Sequence, residues 1–173
     1  LNTANCQNKY YHFLSAMGKI TKTLALFTYY LLAQYLPNRE FPLIGEVCRK
    51  IRQCLCKVLF VSAGDWINIQ RRVYFGRNRV RIGNHSGLGE GFHIQNSELE
   101  VGDYVMTGPD IMVLGGGHVF KSKHVRIGSQ GNLPKTKLKI EDDVWIGARV
   151  TILGNCSIIG KGAVVGACSV VTK

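Results

Sequence analysis

Residues 140–171 decide the fold, and they read IEDDVWIGARVTILGNCSIIGKGAVVGACSVV. An aliphatic residue recurs every six positions through this stretch, with a single step of seven in its middle. These anchor residues are Ile140, Ile146, Ile152, Ile159, Val165 and Val171. A period of six differs from the 3.6 of a helix and the 2 of a strand, so neither element alone explains it.

A second run upstream has the same spacing, again with one step of seven. Its anchors are Ile82, Leu88, Ile94, Val101, Thr107 and Val113. A short strand followed by a turn fits this period, and three such units make one triangular coil whose anchors stack inward. Gly follows many of the anchors and supplies turn conformations that side chains disfavour. We therefore predict a mainly β protein in which 65–173 form a parallel β-helix of hexapeptide repeats.

The ladder is interrupted over about 119–139, a stretch rich in Lys. Loops of that length in a compact domain are usually functional or disordered. This one directly follows Gly115, Gly116, Gly117 and His118. A histidine at the end of a coil and beside a long excursion is therefore the first place to look for chemistry.

We predict that residues 1–64 form a separate, N-terminal helical segment. Apolar residues lie three or four apart over 10–36, which predicts a helix that ends at Pro37 and Asn38. A second helix is expected over 44–60. Its apolar face would carry Val47, Ile51, Leu55 and Val58, and its other face Arg49, Lys50, Arg52 and Lys57.

The position of these helices has two alternatives. The uncharged stretch Thr23–Asn38 has sixteen residues, fewer than the roughly 20 that a spanning helix needs. A basic amphipathic pair over 10–60 would suit peripheral contact with the inner face of a membrane. Alternatively, the helices pack on the rest of the protein or on a neighbouring subunit.

The amino-acid composition limits the kinds of partner that the chain could bind. The chain has 22 Lys and Arg against 11 Asp and Glu, a formal charge of +11 that favours an anionic partner. No nucleic-acid motif accompanies the charge, so we expect no nucleic-acid role. The six Cys fit no zinc spacing, and a chain of 173 residues needs no disulfide scaffold. Reduced thiols and a cytoplasmic location are the expectation.

Several blocks of the ladder resemble the hexapeptide-repeat acetyltransferases. The similarity is greatest to bacterial sugar and polysaccharide O-acetyltransferases of the maltose, galactoside and colanic-acid type, and it covers about 65–173. The blocks are 82–90, 101–110, 117–118, 143–148 and 165–173. The resemblance implies a left-handed parallel β-helix, a homotrimer, and acetyl-CoA as acyl donor in grooves between neighbouring subunits, with no metal.

The resemblance also implies roles for individual residues. His118 matches the family's general base. Neutral imidazole suits this role, because a sugar hydroxyl must lose its proton as it attacks the thioester. The coenzyme-binding candidates are Trp145, Gly147, Ala148, Ala167, Thr172 and Lys173. The substrate-binding candidates are Asn84, Ser86, Glu90 and Asp110. Glu90, Asp110 or a main-chain carbonyl could orient His118.

The predicted function is transfer of acetyl from acetyl-CoA to a hydroxyl of a sugar or polysaccharide precursor. An amino-sugar N-acetyltransferase and a serine acetyltransferase are the near alternatives. A zinc enzyme of the γ-carbonic anhydrase type would use His93, His118 and His124 across subunits. A non-catalytic β-helix scaffold is a further alternative. The family usually continues past the Thr-Lys ending with further coenzyme contacts, so we expect the chain to be trimmed there.

Overall fold

The computed structural model describes residues 18–173, and over this range short strands dominate. The helices are α1 over 18–31, a 3-10 helix at Ala33–Tyr35 and α2 at Gly45–Leu59. The first eight strands are β1 Ser62–Ala63, β2 Asn68–Ile69, β3 Val80–Ile82, β4 Gly87–Leu88, β5 His93–Gln95, β6 Ser97–Val101, β7 Met106–Thr107 and β8 Met112–Leu114. The others are β9 Gly117–His118, β10 Asn132–Leu133, β11 Thr136–Ile140, β12 Trp145–Ile146, β13 Thr151–Leu153, β14 Ile158–Ile159, β15 Val164–Val165 and β16 Val170–Val171.

The strands form three faces, and the strands within each face are parallel. Face one is β1-β3-β6-β11-β14, and face three is β5-β8-β13-β16. Face two contains β2-β4 and β7-β12-β15, joined where the Gly87 N–H donates to the Val105 carbonyl at 2.9 Å. Successive strands pass from face one to two to three and return one coil further on. The predicted parallel, strand-rich ladder is confirmed.

The anchor residues point into the core of this prism. Ile94, Ile140, Ile146 and Ile152 are fully buried, and most of the remaining anchors are nearly so. Thr107, a polar anchor, is half-buried, and its hydroxyl donates to the Gly87 carbonyl and accepts the Gly89 N–H. Anchors inside the stack are covered by the coils on either side, whereas Val165 and Val171 in the last coil are only partly buried.

Three corners join the faces, and they are the reference points for the site. The first corner, between faces one and two, comprises 64–66, 83–86, 102–105, 141–144 and 160–163. The second, between faces two and three, comprises 70–72, 89–92, 108–111, 147–150 and 166–169. The third, between faces three and one, comprises residue 96 and 115–117 and 154–157.

The excursion leaves the prism at the third corner as a hairpin. Strands β9 and β10 are antiparallel, with His118 opposite Asn132. Gln130 holds the loop together, because its side chain bonds the Ser122 N–H, the Ser122 carbonyl and the Val125 carbonyl. The chain rejoins face one at Thr136, so the excursion is shorter than the predicted 119–139.

The helices cover the N-terminal end of the prism. Tyr29, Ala33, Cys56 and Phe60 belong to the same buried cluster as the first coils. The part of the predicted 10–36 helix that precedes residue 18 lies outside the described residues. Within them, no helix is long and apolar enough to cross a membrane.

The predicted orientation of α2 is wrong. Val47, Ile51 and Val58 are exposed, whereas Arg49 and Arg52, assigned to the opposite face, are buried. The buried arginines reach carbonyl groups at strand and helix ends that lack backbone partners. On this helix, supplying donors to the neighbouring backbone carbonyls therefore matters more than burying the apolar side chains. Side chains at Leu24, Phe27 and Leu31 on α1 are likewise exposed.

Arg52 is the most constrained of these side chains, with no exposed surface. Its guanidinium donates to the carbonyls of Ile69 at 2.6 Å, Leu36 at 2.9 Å and Pro37 at 3.0 Å. It thereby fastens α2 to the first coil and to the turn that follows α1.

Arg52→Ala should lower the free energy of unfolding by about 3 kcal/mol or more, because three carbonyls lose a charged donor and a cavity forms. Urea unfolding measures the change. The matched control Lys50→Ala, exposed on the same helix, should change it by less than about 0.5 kcal/mol. A loss below about 1 kcal/mol for Arg52→Ala would show that its hydrogen bonds to the three carbonyls do not stabilise the fold.

Candidate active site

His118 lies exposed in a cleft of about 810 Å³ at the third corner. The cleft extends from the coils to the hairpin, and its walls include Asn96, Leu133, Thr136 and Asn155. A histidine in such an open cleft can meet a substrate from solvent and exchange protons with it.

The glycine run before His118 directs the chain out of the coil. A Cβ at Gly115 would collide with the Thr136 hydroxyl and lie 2.5 Å from the Asn96 carbonyl oxygen. Gly116 and Gly117 have φ of 69° and 138°, values that side chains disfavour. Three consecutive glycines therefore let the backbone pass close to the neighbouring coils and turn outward into the hairpin.

Asn84 and Ser86 lie at the first corner and serve the stacking of coils. The Asn84 side chain accepts the Asp65 N–H at 2.9 Å, and its backbone N–H donates to Asp103 Oδ1 at 2.6 Å. Ser86 is buried, donates to the Gly102 carbonyl at 2.6 Å and accepts the Val105 N–H at 3.0 Å. Both side chains already have partners within the prism.

Glu90 lies at the second corner in a network of cations. Its carboxylate accepts Nε of Arg71 and Nη2 of Arg72, both at 2.8 Å, and Nδ2 of Asn38 at 2.7 Å. Partial burial tends to raise its pKa, but the hydrogen bonds from Arg71 and Asn38 outweigh this, and the pKa is lowered. Asp110 lies one coil further, and its N–H donates to the Glu90 carbonyl at 2.7 Å.

Four coenzyme candidates share one region of the surface. Trp145 is about half exposed on the outside of face two, between Met106 and Val164 in register. Gly147 and Ala148 follow it at the second corner, with Ala167 in the next coil. A Cβ at Gly147 would lie 2.6 Å from the Ala167 nitrogen, so only glycine permits this stacking. The result is a shallow, small-residue surface beside an exposed indole.

Thr172 and Lys173 are both exposed and follow β16 on face three. The register pairs Ile152 with Val171, and Val113 with Ile152. Continuing it places Lys173 in the column of Gly115 and Gly154, at the corner that carries His118.

Within one chain, the predicted site residues are therefore distributed over all three corners. His118, Thr172 and Lys173 share the third corner. Trp145, Gly147, Ala148 and Ala167 lie at or near the second, together with Glu90 and Asp110. Asn84 and Ser86 are at the first. Neither Glu90 nor Asp110 lies at the corner of His118 in the same chain.

A second cleft, of about 390 Å³, went unrecognised in the sequence. It lies on the outside of face two, between the coils and α2, and Trp66, Asn68, Gln70 and His85 line it. Trp66 also carries the Arg49 guanidinium at 5.6 Å from its ring centre. The sequence does contain a sign of this cleft, because Trp66, Asn68 and Gln70 alternate with buried Ile67 and Ile69 and therefore face outward. The six-residue period does not include this alternation.

The histidines weighed for a zinc site occupy separate places. His93 is on face three with its ring stacked 4.7 Å from that of Tyr74, and His124 is in the excursion. Over residues 18–173, no three His, Cys, Asp or Glu side chains are grouped as metal ligands would be.

Residues 137–173 match the bacterial transferase hexapeptide family (six repeats). A galactoside O-acetyltransferase of Lactococcus lactis subsp. lactis (strain IL1403) is 34% identical over 124 residues, which are 69% of this chain and 57% of the relative. One from Escherichia coli (strain K12) is 27% identical over 129 residues, 70% of this chain and 59% of the relative. The chain thus spans under two thirds of these curated relatives.

Solved structures agree with the observed coils. A hexapeptide-repeat acetyltransferase from Vibrio cholerae, solved with acetyl coenzyme A, has a TM-score of 0.65 and 25% identity, over 91% of this chain and 76% of that one. A maltose O-acetyltransferase from Clostridium difficile 630 has a TM-score of 0.59 and 26% identity, over 93% and 78%.

The six-residue period of the ladder is the feature that this chain shares with the hexapeptide-repeat transferases. The chain is similar to the hexapeptide-repeat acetyltransferases, as its motifs predicted, and residues 137–173 match the repeat itself.

Glu90→Gln should lower the melting temperature at pH 7 and lose this effect in acid. Since the folded pKa of Glu90 is lowered, its stabilisation is complete above the ordinary value of about 4.3 and disappears as pH falls through the folded value. Melting curves of both proteins from pH 7 to 3 measure the gap between them.

The matched control is Glu98→Gln, which removes a more exposed ion pair of 3.8 Å to Arg79. It should change the melting temperature little at any pH. A Glu90→Gln gap that stays constant from pH 7 to 3 would contradict the ionic origin of the effect.

Proposed function

We propose that the chain transfers an acetyl group from acetyl-CoA directly to a hydroxyl of a sugar or polysaccharide precursor, on a left-handed coil, with His118 as general base. The observation that carries this proposal is His118 itself, exposed in a cleft of about 810 Å³ at the root of the excursion. The named relatives, galactoside and maltose O-acetyltransferases, support the choice of a sugar hydroxyl.

The chemistry needs few protein groups. The acceptor hydroxyl gives its proton to the neutral imidazole as its oxygen bonds to the thioester carbon. The tetrahedral intermediate then collapses, the C–S bond breaks, and the imidazolium returns the proton to the departing thiolate of coenzyme A. Backbone N–H groups of the glycine run that lines the cleft are candidates to stabilise the oxyanion.

The donor is assigned to the groove beside Trp145, Gly147, Ala148 and Ala167. Small residues there leave room for a slender pantetheine arm, and the indole offers it an apolar wall. Lys173 is exposed at the third corner, so the Lys173 of a neighbouring copy suits contact with a phosphate of the coenzyme. The Vibrio cholerae relative was solved with acetyl coenzyme A, which supports the same donor for this chain.

A complete site requires two copies of the chain. His118 is at the third corner and Ala167 at the second, and a strand of face three separates them. Neighbouring copies in a closed ring bring different corners together, because a rotational interface pairs unlike surfaces. We therefore propose a homotrimer with active sites between subunits. Five free thiols in the described part of the chain suit a reducing compartment, and we place the reaction in the cytoplasm.

His118→Gln should reduce kcat by about 10²- to 10⁴-fold, the usual contribution of a general base, and leave the acetyl-CoA affinity unchanged. Release of coenzyme A with galactoside and maltose acceptors measures kcat, and calorimetry measures affinity. His124→Gln, an exposed histidine in the excursion, is the control and should keep full turnover. Full turnover of His118→Gln would show that the base is another group.

Mixing two inactive variants tests the shared site. Ala167→Trp should block the donor groove and His118→Gln should remove the base, so each variant alone is inactive. Co-expression should restore about a quarter of the parental activity, because roughly three quarters of random trimers are mixed and each mixed trimer holds one intact site. Activity no higher than that of the separate variants would overturn the site between subunits.

A further inference from the structure

Three aromatic side chains form a column along the first corner. Trp66, His85 and Tyr104 occupy the same position in successive coils, since the His85 N–H donates to the Asp65 carbonyl and the Tyr104 N–H to the Asn84 carbonyl. The rings of His85 and Tyr104 are parallel within 5°, with centres 5.1 Å apart. All three side chains are exposed.

The backbone beneath these rings is in an unfavourable region. Trp66, His85 and Tyr104 have φ of 56°, 54° and 58°. The left-handed region disfavours bulky residues and suits Gly, Asn or Asp, and in the later coils the same position holds Asp143 and Gly162. Burial does not offset this cost, because about 60% of the surface of Trp66 and Tyr104 is accessible. The second corner has the same conformation at Arg72, Asp110, Arg149 and Cys168, so the turn geometry imposes it. The first corner differs in placing exposed aromatic residues there, which points to a role for the rings.

The column borders the second cleft, which has an unsatisfied polar group. Trp66 and His85 form one side of this cleft, and Asn68 lies within it. Among the described residues, Asn68 Oδ1 is the buried side-chain atom that has no hydrogen-bond partner. A buried acceptor without a donor costs about 1–3 kcal/mol, which a ligand hydroxyl would recover.

The charged side chains at the first corner and in the second cleft indicate which kind of ligand could bind there. Asp65 precedes Trp66 in the chain and pairs with Lys57, and Asp143 follows Tyr104 in the same column; both carboxylates are exposed. The two arginines that line the cleft, Arg39 and Arg49, both pair with Glu46, so neither guanidinium is left unpaired for an anion. The exposed carboxylates accept hydrogen bonds from hydroxyl groups. Aromatic faces next to hydroxyl-binding carboxylates suit a neutral carbohydrate. The C–H face of a pyranose ring carries partial positive charge and stacks on the negative face of an aromatic ring.

We propose that the Trp66–His85–Tyr104 column and the cleft at Asn68 bind a carbohydrate chain, so the acceptor is an oligosaccharide or polysaccharide. Three coils at a spacing of about 4.8 Å make the column longer than one sugar ring. The cleft also reaches the donor groove, because Met106 lines it and pairs in register with Trp145. The choice of acceptor rests on the proposed function, whereas binding of the carbohydrate does not.

The first experiment measures binding without any acyl donor. The chain has two tryptophans, so Trp145→Phe leaves Trp66 as the only indole. Fluorescence of this variant is titrated with maltose and maltohexaose, and with galactose and a galactan hexasaccharide. One hexasaccharide should shift the Trp66 emission and bind about tenfold more tightly than its short counterpart. No shift with any of the four sugars would overturn the proposal.

The second experiment removes a ring while keeping the backbone. Tyr104→Asn should abolish the tenfold preference for the longer sugar, since Asn tolerates the left-handed region. The control is Tyr35→Asn, a tyrosine of similar exposure on the 3-10 helix, which should keep the preference. If Tyr104→Asn kept the preference for the longer sugar, the proposal that the aromatic column binds it would be wrong. If acetyl-CoA fails to bind but Trp66 still responds to a hexasaccharide, the transferase proposal falls and the carbohydrate site stands.

Discussion

The stacking of each coil on the next is the interaction on which the rest of the molecule depends. Ile94, Ile140 and Ile152 are fully buried because neighbouring coils cover them from both sides. The corners must then approach to backbone contact: a Cβ at Gly108 would lie 2.7 Å from the Ala148 nitrogen. Inward positions and tight corners are therefore restricted in residue type, and the outer faces and the remaining corner positions are free to carry function.

A stack of coils also leaves an open end with unpaired backbone groups. The helices close it here, and they do so with polar side chains as well as apolar ones. Tyr29 donates its hydroxyl to the Val73 carbonyl at 3.0 Å, and Arg52 satisfies three further carbonyls. Arginine suits this position because its planar group donates several hydrogen bonds in fixed directions. Capping by helices thus protects the first coil from solvent and from pairing with another strand.

The triangular cross-section separates the parts of the proposed reaction. The proposed base lies at the third corner, the donor groove at the second, and the aromatic column at the first. In a single chain these surfaces face different directions, which is why we propose an assembly of copies that unites the base and the donor groove. Face two connects the other pair, because its outer column runs from Asn68 through Met106 to Trp145. Position along the coil axis, rather than distance along the sequence, decides which residues can act together.

Sequence spacing by itself determined the period-six ladder, its inward anchors and the place of the excursion, because each depends on residues close together in the chain. His118 was located for the same reason, from its position between the glycine run and the interruption. The tertiary structure alone decided which face of α2 is buried, since the carbonyls of Ile69 and Leu36 that hold Arg52 exist as a pair only after folding. It also decided that Asn84 and Ser86 bond neighbouring coils and that three aromatic residues nineteen positions apart form one column. Contacts between coils depend on the register of stacking, which a local pattern does not specify.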